Sequence, residues 1–164
     1  MPGAADRPQR DDFDVPVRIT DQGLRETRSY PLARQPGILR VVVVGDSFTF
    51  GHGVDVAAGW SERLEQLLDS EPSVDRVEVI NLAVTGYGLD QQLLRLEDRG
   101  FALRPDLVLV GLFEGDVFRV ARDEYFGYAK PRFALQDGAL RLGGVPVSTA
   151  RPQPSGSRLW ALVG

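Results

Sequence analysis

Three short segments hold the residues whose types and spacing could do chemistry. They are Gly45-Asp46-Ser47-Phe48-Thr49-Phe50-Gly51, Asn81-Leu82-Ala83-Val84-Thr85-Gly86-Tyr87-Gly88 and Glu114-Gly115-Asp116. The first combines two hydroxyls with an acid and flanking glycines. A phosphate-gripping Walker loop would need Gly-Lys-Ser or Gly-Lys-Thr, and no lysine is near. A dinucleotide fingerprint would need a third glycine, but Gly51-His52-Gly53 is followed by Val56 where it belongs. Two readings remain. One is a hydroxyl-rich flavin-phosphate loop, with Ser47 and Thr49 at a helix amino end. The other is a nucleophilic serine at a sharp strand-to-helix turn. Residue type alone leaves both open.

The elements around these segments must place them together. Val41 to Val44 is a continuous β-branched run ending at Gly45, the pattern of a strand buried on both faces. Trp60, Leu64, Leu67 and Leu68 recur at helical spacing. Val77-Glu78-Val79-Ile80 reads as a second strand. Leu89, Leu93, Leu94 and Leu96 mark a second helix, which Gly100 closes in a C′-like position. Leu107 to Leu112, entered from Pro105, is the third strand. This β-α-β-α-β order calls for a parallel sheet with right-handed crossovers. Ligands of such sheets gather at the carboxyl ends of the strands, where all three segments fall.

Outside this core the patterns are simpler. Residues 1–14 read as a disordered lead-in. Val15 to Ile19 alternates as a short strand, confined to an edge by Pro16, before a turn at Asp21-Gln22-Gly23. Asp137-Gly138 between Phe133–Gln136 and Ala139–Leu142 predicts a two-residue hairpin. Pro146 to Pro154 reads as a loop and Ser157 to Val163 as the first turns of a helix. Arg119, Arg122, Asp123 and Glu124 read as a solvated helical face. Phe48, Trp60 and Phe113 read as core or wall residues.

Composition excludes several classes of function. The chain has 164 residues, enough for one domain with a substantial core. Its 19 basic and 23 acidic residues give a net charge of −4, unlike a protein that binds nucleic acid by neutralising phosphates. Cysteine is absent, which removes thiolate nucleophiles, disulfides and Cys-based metal sites. No metal constellation and no cofactor motif is evident. The polar start carries no signal peptide and no apolar run is long enough to span a bilayer, so the default location is cytoplasmic. Histidine occurs once, at His52.

Val41–Gly53 (VVVVGDSFTFGHG) resembles the first conserved block of the SGNH, or GDSL-type, hydrolase family. Asn81 to Gly88 is similar to its second block, and Arg104-Pro105-Asp106-Leu107-Val108 to the strand entry before its third. Ile19 to Arg25 and the Lys130 to Leu142 hairpin resemble segments of a bacterial branch of the same family. The resemblance implies a flavodoxin-like three-layer α/β/α parallel sheet, the SGNH hydrolase fold, with an inserted β-hairpin. It covers residues 15–164 as one partial domain. It also implies hydrolysis of a small-molecule acyl ester without a cofactor. By that resemblance Ser47 is the nucleophile and an oxyanion N–H donor, and Gly86 donates a second oxyanion N–H. Asp46, Gly115 and Asp116 shape the site.

Two departures from the family pattern set further expectations. Gly115 stands where the third block has an asparagine side chain that completes the oxyanion hole. The Asp-x-x-His block that supplies the base has no counterpart, so the domain is expected to be incomplete at its C-terminus. His52, five residues after Ser47, is a poor substitute. A missing base costs about 10²–10⁴ in rate and a missing oxyanion donor about 10²–10³, and such losses do not simply multiply. The chain is therefore expected to be a weak or inactive esterase, the alternative being a non-catalytic binding module on the same scaffold. With no later strands, Leu107 to Leu112 would form an unpaired apolar edge open to self-association.

Overall fold

The computed structural model describes residues 5–6 and 14–148. They fall in two compact units, Met1–Ala121 and Arg122–Gly164. At the start of the first unit Ala5–Asp6 (β1) pairs antiparallel with Val17–Arg18 (β2), in the register Ala5↔Arg18 and Asp6↔Val17. Ala5–Asp6 is thus a paired strand within the segment expected to lack structure; residues 1–4 and 7–13 lie outside the described residues, as do most of the 146–154 loop and the 157–163 helix.

The centre of the first unit is Ile38–Gly45 (β3). It pairs in parallel with Arg76–Asn81 (β4) on one side and Leu107–Gly111 (β5) on the other, giving the order β4-β3-β5. Its valine run is buried on both faces, as the β-branched sequence predicts. Val41 and Val43 join Val77 and Val79 beneath Leu64 and Leu68 of helix Trp60–Asp69. Val42 and Val44 face the other way, with Ile80, Leu82, Leu24, Tyr30 and Leu103. A strand alternates its side chains between faces, so one unbroken apolar run fills both cores. Each valine hidden this way contributes about 1.5–3 kcal/mol. The result is a three-layer α/β/α arrangement around a parallel sheet.

The helices depart from their sequence patterns in informative ways. Ser47–Phe50 (α1) is a single turn, so Trp60–Asp69 is α2 and Leu89–Arg95 is α3. In α2, Leu64 and Leu68 reach the sheet, but Leu67 is 66% exposed and Trp60 40%. Helix α3 runs on through a π turn (Leu96–Gly100) and a 3-10 turn (Phe101–Leu103). Gly100 is therefore not the terminator: it is buried, and a Cβ there would meet Leu96 Cδ1 at 2.5 Å. The left-handed residue that stops the chain is Arg104, at φ 54°.

Both edges of the sheet are distinctive. On β4 the backbone donors of Val77, Val79 and Asn81 are each met by a side-chain carboxyl oxygen. Asp69 Oδ1 accepts at 2.7 Å, Glu65 Oε2 at 2.7 Å and Glu26 Oε1 at 3.3 Å. Among the described residues β5 pairs with β3 alone. Leu107 and Val110 on β5 are about half exposed, at 49% and 54%.

One charged side chain lies inside this apolar frame. Arg40 of β3 is fully buried; its Nε donates to Glu78 Oε2 at 2.8 Å. Its Nη1 donates to the carbonyls of Pro31 (3.0 Å) and Leu103 (2.6 Å).

The C-terminal unit is built from short hairpins. Glu124–Tyr125 (β6) pairs with Tyr128–Ala129 (β7), and Arg132–Gln136 (β8) with Ala139–Gly143 (β9). Asp137 and Gly138 between the latter have φ of 50° and 75°, the two positive angles that the Asp-Gly signal requires. No helix of the described residues is long and apolar enough to cross a membrane.

Candidate active site

The three chemistry-bearing segments meet at the carboxyl end of the sheet. Val84 N–H donates to the Gly45 carbonyl at 3.2 Å, joining the second loop to the first. Gly45 and Gly111 lie directly opposite one another at the ends of β3 and β5. Both must be glycine, because the Thr49 side chain occupies the space beside them. An added Cβ would fall 2.3 Å from Thr49 Oγ1 at Gly45 and 1.9 Å at Gly111. Thr49 belongs to α1, so these two glycines seat the turn that carries Ser47. Gly111→Ala is expected to push α1 off the sheet and cost about 1–3 kcal/mol in overpacking. A denaturation midpoint equal to that of the native chain would contradict this.

Ser47 sits half-buried at the first position of α1. Asp46 caps that turn: its Oδ1 accepts from Phe48 N–H at 3.0 Å, and its Oδ2 lies 3.5 Å from Ser47 Oγ. The first N–H groups of a helix lack intrahelical partners, so the turn itself supplies no acceptor for the Ser47 N–H. Asn81, at the end of β4, ties α1 down from below. Its Nδ2 donates to the Thr49 carbonyl (2.7 Å) and Ser61 Oγ (3.0 Å), while its Oδ1 accepts from Ala83 N–H (3.0 Å). Arg25 closes the far end of the turn, donating at 2.8 Å to the carbonyls of both Phe50 and Gly51.

Gly86 occupies the third position of a turn closed by Tyr87 N–H to the Val84 carbonyl at 3.2 Å. Its φ of 84° favours glycine, and the turn's own hydrogen bond does not use its N–H. In the third loop, Asp116 lies on the first turn of Glu114–Val120 (α4) and is fully buried. Gln92 Nε2 donates to its Oδ2 at 2.9 Å, Phe113 N–H to the same oxygen at 3.2 Å, and Arg119 Nη1 to Oδ1 at 2.5 Å. Burial raises the Asp116 pKa and the Asp46 charge adds to the rise, while these three donors oppose it.

Gly115 has its own neighbour. A Cβ there would meet the Phe113 ring at 2.5 Å, and that ring packs on Phe48 with centroids 5.1 Å apart. Beside the Ser47 turn is a cleft of about 330 Å³, walled by Phe48, Trp60, Leu112 and Phe113 and floored by Asp46 and Thr49. Phe48 and Trp60 are thus wall residues, with 68% and 40% exposure, rather than core. His52 is exposed; its backbone N–H donates to the Ser47 carbonyl at 3.0 Å. Among the described residues no group of three or more His, Cys, Asp or Glu side chains could hold a metal ion.

The GDSL-like lipase/acylhydrolase family matches residues 41–131, which include all three loops. The chain belongs to this family. A solved structure titled "Crystal Structure of TesA" is 30% identical over 49% of this chain and 43% of that one, with a TM-score of 0.44. The chain thus spans less than half the length of that structure. No curated protein matches it. In this GDSL-like chain the strand-end positions of the three loops were legible in the sequence, but what holds them together was not. Arg119 is not on a solvated face: its side chain is 12% exposed and bonded to two aspartates. The spacing of Asp116 and Arg119, one helical turn apart, was the available signal.

Proposed function

We propose that this GDSL-like chain is an ester hydrolase domain in which Ser47 attacks the acyl carbonyl. The observation that carries the reading is the placement of Ser47. It opens a helical turn that is capped by Asp46 and seated between Gly45 and Gly111, beside the loop that carries Gly86. Ser47 would give up its hydroxyl proton to water, the ester's alcohol would leave as the acyl-enzyme forms, and a second water would release the acid and restore the hydroxyl, with the N–H groups of Ser47 and Gly86 turned toward the oxyanion. Asp46, Gly115 and Asp116 shape the site around them. The substrate is a small acyl ester, and the apolar walls of the adjoining cleft suit its acyl group.

A second reading is a scaffold that binds an ester without turning it over. Two observations favour it. The Phe113 ring fills the space above Gly115, and the one histidine of the sequence is exposed. A fluorophosphonate probe separates the two. Under the proposal the native chain is labelled and Ser47→Ala is not, while ester turnover runs about 10²–10⁴ below that of an enzyme with a positioned base. A native chain that stays unlabelled, or a Ser47→Ala chain labelled equally, leaves the second reading standing.

A further inference from the structure

We propose that Arg119 is a positioning residue: through a single nitrogen it sets the geometry of all three loops relative to one another. The inference rests on the Ser47 reading and adds to it a residue outside the loops' own motifs.

Arg119 Nη1 donates to Asp46 Oδ2 at 3.1 Å in the first loop and to the Tyr87 carbonyl at 3.1 Å in the second. In the third it donates to Asp116 Oδ1 at 2.5 Å. Each partner adjoins a proposed site residue. Asp46 caps the Ser47 turn, Tyr87 follows Gly86, and Asp116 follows Gly115. A displaced guanidinium would therefore move the cap of the nucleophile and the carbonyl beside the second oxyanion donor together.

The close packing around it points the same way. A Cβ at Gly88 would lie 2.8 Å from Arg119 Cβ and 3.2 Å from the Asp116 carbonyl. The second loop and α4 therefore touch at a backbone separation that admits only glycine. The guanidinium also lies 5.8 Å from the centre of the Phe113 ring, the ring that covers Gly115. A planar guanidinium with fixed N–H directions suits this task, whereas an ammonium is a point charge on a flexible stem. A lysine here would keep the charge opposite Asp46 and Asp116, but its nitrogen would end one bond short of Nη1.

Arg119→Lys is the informative variant, because retained charge keeps the two aspartates paired and the fold intact. Amide spectra of the full chain test the coupling without any need for activity. The variant should shift signals from Asp46–Phe50, Val84–Gly88 and Phe113–Asp116 together, leaving β3 and β4 core signals in place. Shifts confined to Phe113–Ala121 would overturn the proposal. Fluorophosphonate labelling supplies the second readout. The maximal labelling rate should fall by about tenfold to 10²-fold with the half-saturating probe concentration unchanged, since Arg119 acts through its neighbours. A lysine variant labelled at the native rate would also overturn it. If the native chain is not labelled at all, the Ser47 reading fails and the amide spectra alone decide the role of Arg119.

Discussion

Arg40→Met should destabilise the chain by about 3–5 kcal/mol, a large share of the 5–15 kcal/mol that typically holds a domain together. The substitution keeps an unbranched apolar stem and removes the charged guanidinium. Glu78, whose side chain is 8% exposed, would then be an unpaired carboxylate inside the sheet layer. The carbonyls of Pro31 and Leu103 would lose their shared donor. Leaving one partner of a buried pair uncompensated is the expensive case; replacing both is not. Arg40→Met combined with Glu78→Leu should therefore recover most of the loss. Urea denaturation of the three chains gives the comparison. A single variant within about 0.5 kcal/mol of the native chain, the usual scale of a surface change, would show that the pair is already hydrated.

The second large effect is a loss of stability with rising pH. Burial pushes the Glu26 carboxyl up to about 8 from its ordinary 4.5, and the hydrogen bond and charge of neighbouring Glu62 push the same way. The Asn81 N–H and the Arg28 charge oppose the rise without cancelling it. Between pH 4.5 and 8 the folded chain holds a proton that the unfolded chain has released, so folding weakens as pH climbs through that window. Below 4.5 both states are protonated and the contribution of Glu26 is fully present; above 8 it is gone. For one proton the slope reaches at most about 1.4 kcal/mol per pH unit. Glu26→Gln keeps an acceptor for Asn81 and should flatten the dependence. Thermal midpoints of both chains between pH 5 and 8 check it, and parallel curves would contradict it.

Much of this architecture was legible because it rests on local patterns. The four valines of β3 could be assigned to a doubly covered strand from their run alone. The Asp137-Gly138 hairpin followed from two residues that tolerate positive φ. The candidate loops were legible too, since each begins where an apolar strand ends. What escaped was everything held by partners distant in the chain. Arg40 meets Glu78, Arg119 meets Asp46, and Arg25 meets the end of the Ser47 turn across gaps of 38, 73 and 25 residues. One sequence contains no signal that pairs such positions. Gly111 carries no local signal for a related reason: its smallness serves a threonine from another loop. The helices erred where tertiary packing outweighed period. Leu67 had the right spacing but the wrong face, and the run after Arg95 continued through irregular turns past Gly100.

The acidic side chains along β4 give the sheet a direction of growth. Asp69, Glu65 and Glu26 occupy the donors that an incoming strand would need, so β4 is sealed by its own chain against intruding backbone. No such seal is found along β5 among the described residues. Any strand that joins this sheet, from the same chain or another, must therefore do so next to Leu107–Gly111. Accretion would be one-sided and would proceed on the flank that borders the third loop, so whatever extends the sheet also becomes a neighbour of the Ser47 site.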